Sequence, residues 1–235
     1  MATRFYLPSS GTPPVTPSSW LAWNGTATVA GPFPCGTTPS NTALTSHLSD
    51  NIGGSPKKYA NARWVSPALA AQTIDGTVKG VIKCMEGSDS HGATVCIGIK
   101  VVKPDGTDRG TLLAPAASDA STSRPPEMAV LSAVNTRRLQ DAAENTDIIL
   151  SSVAVTAGDF LVIEMGARAT STNTAHDHTL HYGDPTAGSD FTHADSQTDD
   201  FRSWVEFSGS VALYSPSSAS PDSDVRQGLG LGLGL

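Results

Sequence analysis

Two runs of alternating residues, Ile148–Val155 and Phe160–Ala169, meet at Thr156-Ala157-Gly158-Asp159. Apolar side chains at every second position line one face of an extended chain, a period that a helix cannot bury. With a Gly-Asp pair between them, the runs read as two strands joined by a tight turn. The same period recurs upstream. In Gln72–Met85, Ile74, Val78, Ile82 and Cys84 share one face, and Asp75, Thr77, Lys79 and Lys83 share the other; Thr94–Val102 repeats the pattern with Val95, Ile97, Ile99 and Val101.

Between these strands Glu86–Gly92 reads as a hairpin-like loop, and Pro104-Asp105-Gly106-Thr107 as a turn with Pro preset for its first corner and Gly free to take positive φ. A short strand is expected at Thr111–Ala114. Another should end near Val134, before a polar loop with one helical turn at Leu139–Glu144. Thr179–Tyr182 reads as a short strand. Ser203–Tyr214, with Val205, Phe207, Val211 and Leu213 alternating, closes the domain. Seven to nine strands with long excursions between them point to an all-β fold, an antiparallel jelly-roll-like β-sandwich. The expected division is an extended arm over 1–70, the sandwich over 71–214, and a flexible Ser/Pro and Gly-Leu tail over 215–235.

Prolines in the arm (Pro8, Pro13, Pro14 and Pro17) set an extended path and remove backbone donors. Trp20, Trp23 and Phe33 are costly to expose, so they are expected to dock on their own β core or on a neighbouring subunit. The closing Gly-Leu repeat puts every leucine on one side of an extended chain and is costly to order. Addition to a neighbour's sheet edge is one way to hold it.

The balance is acidic, a formal charge of −7, and the 15 basic residues are scattered. Phosphate binding needs clustered Lys and Arg, so nucleic acid is not an expected partner. No run approaches the ~20 apolar residues of a membrane span. The opening MATRFYLPSSG lacks the apolar core of a secretory signal, which leads to an expectation of synthesis in a reducing cytosol. Cys35, Cys84 and Cys96 then read as buried free thiols, with a Cys84–Cys96 bridge as the alternative.

The densest polar stretch is His176–Asp200. Its carboxylates Asp184, Asp190 and Asp195 offer oxygens for a weak calcium site, and His176, His178 and His181 offer imidazoles for a transition metal. The plain alternative is a solvated loop. No Gly-x-Ser-x-Gly elbow, P-loop or His-Glu-x-x-His occurs. Glu164 and Glu206 lie in strands on outward-facing positions and read as solvated. Trp204, also outward, and Tyr182 are candidates for a sugar-stacking platform or an interface anchor.

Arg4-Phe5-Tyr6-Leu7-Pro8-Ser9-Ser10-Gly11, then Pro14-Val15-Thr16-Pro17 and Trp20, together with Asn41-Thr42-Ala43-Leu44-Thr45 and Trp204-Val205-Glu206-Phe207, resemble the corresponding stretches of a group of tailed-bacteriophage structural proteins. The resemblance implies a virion component made in the host cytoplasm, with no catalytic residues to carry over. Its expected partners are the major capsid protein or other virion proteins, and further copies of itself, with a trimer as the guess. On that reading Phe5, Tyr6, Leu7, Trp20 and Trp23 form the arm's interface and the role is capsid decoration or cement. The alternatives are a tail or baseplate part, a carbohydrate-binding module for host glycan, or a glycan hydrolase.

Overall fold

Strands account for all the regular secondary structure among the described residues of this computed structural model, which are 1–23, 25–49, 57–86, 94–115, 135–139, 147–169, 178–185, 190 and 202–215. In chain order they are β1 (Thr3–Tyr6), β2 (Gly25–Pro34), β3 (Thr45–Ser49), β4 (Lys57–Ala68), β5 (Gln72–Ile74), β6 (Thr77–Glu86) and β7 (Thr94–Val102), followed by β8 (Asp108–Leu113), β9 (Asn135–Leu139), β10 (Ile148–Ile149), β11 (Val153–Val155), β12 (Phe160–Ala169), β13 (His178–Tyr182) and β14 (Trp204–Phe207). The protein is an all-β sandwich. One sheet is built around β6, which carries β14 and then β13 along one edge and β10 and β9 along the other; β1 extends it beyond β14, and β3 beyond β13. The other sheet runs β2-β4-β12-β7-β8, antiparallel except for the β2–β4 pair. A small β5–β11 ladder stands apart from both.

The period-two rows explain why the sheets close on each other. Val78, Ile82 and Cys84 of β6 and Leu180 and Tyr182 of β13 point inward. They meet Trp64 of β4, Val95, Ile97, Ile99 and Val101 of β7, and Leu161, Ile163 and Met165 of β12 in one continuous core. The expected alternation of β6 and β7 therefore holds residue for residue. Phe5 of β1 joins the same core and packs edge-on against Phe207, with ring centres 5.9 Å apart.

Pairing differs from the local expectation in two places. The turn after β11 is there: Asp159 N–H donates to Thr156 O (3.0 Å), Thr156 N–H to the Asp159 carboxylate (2.8 Å), and Gly158 takes φ +94°. Yet β11 pairs with β5, and β12 lies between β4 and β7, so the two runs do not form a hairpin. Arg109 draws Asp159 toward β8 through a 2.9 Å bond to its carboxylate. Likewise β6 and β7 lie in opposite sheets and not side by side.

That separation settles the cysteines. Cys84 faces the core, Cys96 lies on the outer row of β7, and all three cysteines are buried and outside any disulfide. Burial pushes the Cys35 thiol well above its ordinary value. Native protein should give essentially no reaction with a thiol reagent, and three thiols per chain after denaturation. Fast labelling of the native state would contradict this packing.

The arm is also shorter than expected. Residues 1–70 contain β1, β2, β3 and β4, and β4 is an interior strand of its sheet. Its polar outer row, Asn61 and Arg63, is buried, so the apolar-out-of-polar contrast that marks a half-exposed strand is missing there. The helical turn expected at Leu139–Glu144 falls largely outside the described residues, and Asn135–Leu139 is strand.

Candidate functional site at the seat of the N-terminal segment

Alternation places Arg63 of β4, Glu164 of β12 and Lys100 of β7 on the outer face of the second sheet, with Arg63 and Glu164 direct ladder partners. Their side chains are at most 3% exposed. Arg63 Nη2 lies 3.1 Å from Glu164 Oε1; Lys100 Nζ lies 3.9 Å from the same oxygen and 2.9 Å from Asp108 Oδ1. Three buried charges are costly unless their remaining donors and acceptors are filled. The segment 17–23 fills them. Ser19 O accepts from Arg63 Nη2 (2.8 Å) and from Lys100 Nζ, while Leu21 N–H (2.9 Å) and Trp23 Nε1–H (2.8 Å) donate to Glu164 Oε2. The Arg63 guanidinium lies 3.5 Å from the centre of the Trp20 ring. Burial lowers the Arg63 pKa, and Glu164 opposes that shift.

The sheet is cut to fit this segment. A side chain on Gly98 would strike Leu21, one on Gly166 would strike Trp23 and the Tyr59 backbone, and one on Gly106 would strike the Thr16 carbonyl. Ser18 N–H donates to Gly106 O at 2.8 Å. Nearby, Asn61 is fully buried with neither amide atom paired. An unpaired buried amide costs more than an apolar group of the same shape. Asn61→Leu should therefore raise stability by about 1–3 kcal/mol in denaturant titration. A loss of stability instead would mean that a bound water pairs with the amide.

A second polar cluster lies on the outer face of the first sheet, where β1 runs antiparallel to β14. Arg4 pairs with Asp190 (2.7 Å) and Glu206 (2.8 Å) and stacks 3.8 Å from the centre of a Trp204 ring. Asp190 also accepts from the Tyr6 hydroxyl (2.8 Å), and its other carboxylate oxygen forms an ion pair with Arg202 Nε (3.0 Å) without hydrogen-bond geometry. Burial, then the bond to Asp190, push the Tyr6 phenol up. Behind this corner the buried Asp184 carboxylate accepts from Ser40 N–H (2.5 Å), Thr42 N–H (3.0 Å) and the Thr42 hydroxyl (2.5 Å), and Ser9 N–H donates to Thr42 Oγ1 (2.9 Å). Of the stretches that resemble phage proteins, 4–11 is joined to 204–207 along β1–β14 and to 41–45 through Ser9, whereas 14–17 and Trp20 lie against the second sheet.

Several sequence-based assignments change here. Phe5 and Leu7 are core residues of their own chain, not interface groups, because β1 belongs to the sheet. Trp20 and Trp23 dock on their own sandwich, one of the two outcomes expected for them. Trp204 (1% exposed) and Tyr182 (2%) offer no ring face for a sugar: Arg4 covers the first, and the second packs against Trp64 and Phe33. Burial pushes the Tyr182 phenol up to about 12. Glu164 is outward in register but fully buried under the segment. Asp184 and Asp190 do not converge as calcium ligands, since each is engaged with a different part of the chain. Asp195, His176 and His193 lie outside the described residues. Sequence reasoning missed Arg63 and Lys100; the available signal was a charged residue at alternate positions within runs rich in β-branched and aromatic neighbours.

His181, opposite Lys83 in the β13–β6 ladder, is held below the ordinary imidazole pKa by burial and then by Lys83. A pKa lower in the folded state means the unfolded chain binds the proton more readily. Its contribution is present above the unfolded value near 6.5 and is lost as pH falls through the lower folded value. Stability measured against pH should fall below about 6.5, and His181→Gln should flatten that part of the curve. An unchanged curve would count against it.

No protein-family model matches the chain, and no curated protein matches it. Among solved structures, a CocE/NonD family hydrolase from Staphylococcus aureus aligns with 88% of this chain and 36% of its own length, at 8% identity and a TM-score of 0.42. A likeness of that size supports no inference about activity.

Proposed function

We propose that this chain is a non-enzymatic structural component of a tailed-phage virion, a capsid decoration or cement protein that binds the major capsid protein. The observation that carries the reading is that the phage-like stretch 4–11 is tied to two others, 204–207 along β1–β14 and 41–45 through Ser9. Residues far apart in the sequence resemble one protein group, and three of their stretches form one hydrogen-bonded unit that ties the first strand to the last. Shared short motifs of this kind fit a shared building plan. The strand layout supports it further: β3-β13-β6-β9 opposes β4-β12-β7-β8, and among these eight strands the chain crosses between sheets at every step except β7–β8. We read this order as a jelly roll, a sandwich common in capsid proteins.

The polar clusters also favour a structural role. Arg63, Glu164, Lys100, Arg4, Asp190 and Asp184 spend their hydrogen bonds holding strands and the N-terminal segment. On a particle, many weak contacts repeated over many copies would act together. The test is light scattering and co-sedimentation of the full chain with purified tailed-phage heads that lack it. Saturable attachment supports the proposal. Failure to attach to heads, with attachment to purified tails, would assign the protein to the tail or baseplate; attachment to neither overturns the virion reading.

A further inference from the structure

We propose that the end of the sandwich where β5 faces residues 208–212 is a protein-docking surface, anchored by a pocket that takes one arginine side chain of the partner. Two segments run side by side there and are pinned at both ends of their overlap. At one end Ser208 N–H donates to Thr77 O (2.9 Å) and Thr77 N–H donates to Ser208 Oγ (2.9 Å). At the other the Gln72 side chain accepts from Ala212 N–H (2.9 Å) and donates to Ala212 O (2.8 Å). Between the pins the segments part. Thr73, Ile74 and Asp75 on one side, Gly209, Ser210 and Val211 on the other, and Phe207 line a pocket of about 210 Å³. A side chain added at the exposed Gly209 would meet nothing within 4 Å, so the pocket has an open side.

The pins decide the form of the ligand. An added strand cannot pass through a slot closed at both ends, and the volume is below the roughly 300–1,000 Å³ of small-molecule sites. A single side chain entering end-on fits. The lining decides its chemistry. Ile74, Phe207 and Val211 belong to the core and offer apolar wall to a hydrocarbon stem, Thr73 and Ser210 offer hydroxyls, and Asp75 is the one charged residue. The Asp75 carboxylate is exposed and has no hydrogen-bond or ion-pair partner among the described residues. An apolar stem ending in a cation that meets a carboxylate at two points is an arginine. Met1 apart, the exposed large apolar residues among those described are Ile149 and Tyr214, and both sit at this end. Ile149 pairs with Thr77, the partner of Ser208, and Tyr214 follows Val211 by three positions. An arginine anchor with apolar contacts around it is the usual make-up of a protein interface.

The test is an NMR titration of the isotope-labelled full chain with N-acetyl-arginine amide, with the N-acetyl amides of leucine and glutamate as controls. The expected result is saturable shifts of the Thr73, Asp75, Gly209 and Ser210 amides with the arginine compound and no saturation with the other two. Asp75→Ala should weaken arginine binding at least about tenfold, the loss of a charge-assisted hydrogen bond. Because Asp75 is exposed, the variant keeps the fold, and the rest of its spectrum checks this. Equal binding of the leucine compound would make the pocket an apolar slot, and unchanged arginine binding in Asp75→Ala would remove the carboxylate from the site. Either result overturns the proposal, as does the absence of saturable shifts. Phage heads play no part in this test, so its failure is distinguishable from failure of the virion reading.

Discussion

Glu164→Ala loses about 3–5 kcal/mol of stability, the range found when one member of a buried ion pair is removed. The physical reason is what stays behind. Arg63 and Lys100 remain buried with no carboxylate between them, and the Leu21 amide and Trp23 indole lose their acceptor. Asp108 cannot take over, because its side chain is 47% exposed and of the two cations it pairs only with Lys100. The control is the triple variant Arg63→Met/Lys100→Met/Glu164→Leu. Apolar replacement of a whole buried ion cluster is often neutral or stabilising, so this variant should recover most of the loss while its N-terminal segment becomes sensitive to protease. Chemical denaturation and limited proteolysis read the two effects separately. If Glu164→Ala melts like the wild type, the ion cluster is not buried as described.

Trp64→Ala loses a similar amount, about 3–5 kcal/mol, by a different route. Trp64 is fully buried between the sheets and meets Tyr182 edge-on, with ring centres 5.2 Å apart; its indole N–H caps Pro8 O. Truncation opens a cavity between two hydrogen-bonded sheets, and it removes the indole donor from Pro8 O. Trp64→Phe separates the two terms, since it fills most of the space and loses only the hydrogen bond, for a cost nearer 1–2 kcal/mol. Equal losses for the two variants would mean that the hydrogen bond and not the packing dominates.

How much of this was legible in the sequence follows from what alternation can report. It says which side chains share a face, and for β6, β7 and β12 the inward rows are those read from the period. It does not say what lies over the other face. Glu164 was assigned outward correctly, yet its surroundings are set by residues 141 and 143 positions away in the chain. Nor does it choose partners: β11 and β12 adjoin in sequence, but each finds its ladder elsewhere. β4 was hidden because its outer row is polar and buried together, which mimics an irregular polar stretch. The aromatic residues of the arm were rightly expected to dock. Their seat was invisible because it is made from single charged residues on three separate strands.

The charged outer face of the second sheet holds the N-terminal segment through Arg63, Lys100 and Glu164. Amide hydrogen exchange on the full-length protein tests it most directly. The expected result is strong protection of the Ser18 and Leu21 amides, which bond to Gly106 O and Glu164, with protection lost in Glu164→Gln under conditions where the β7 and β12 amides stay protected. Exchange of both amides at the rate of an unstructured peptide in the wild-type protein would contradict it.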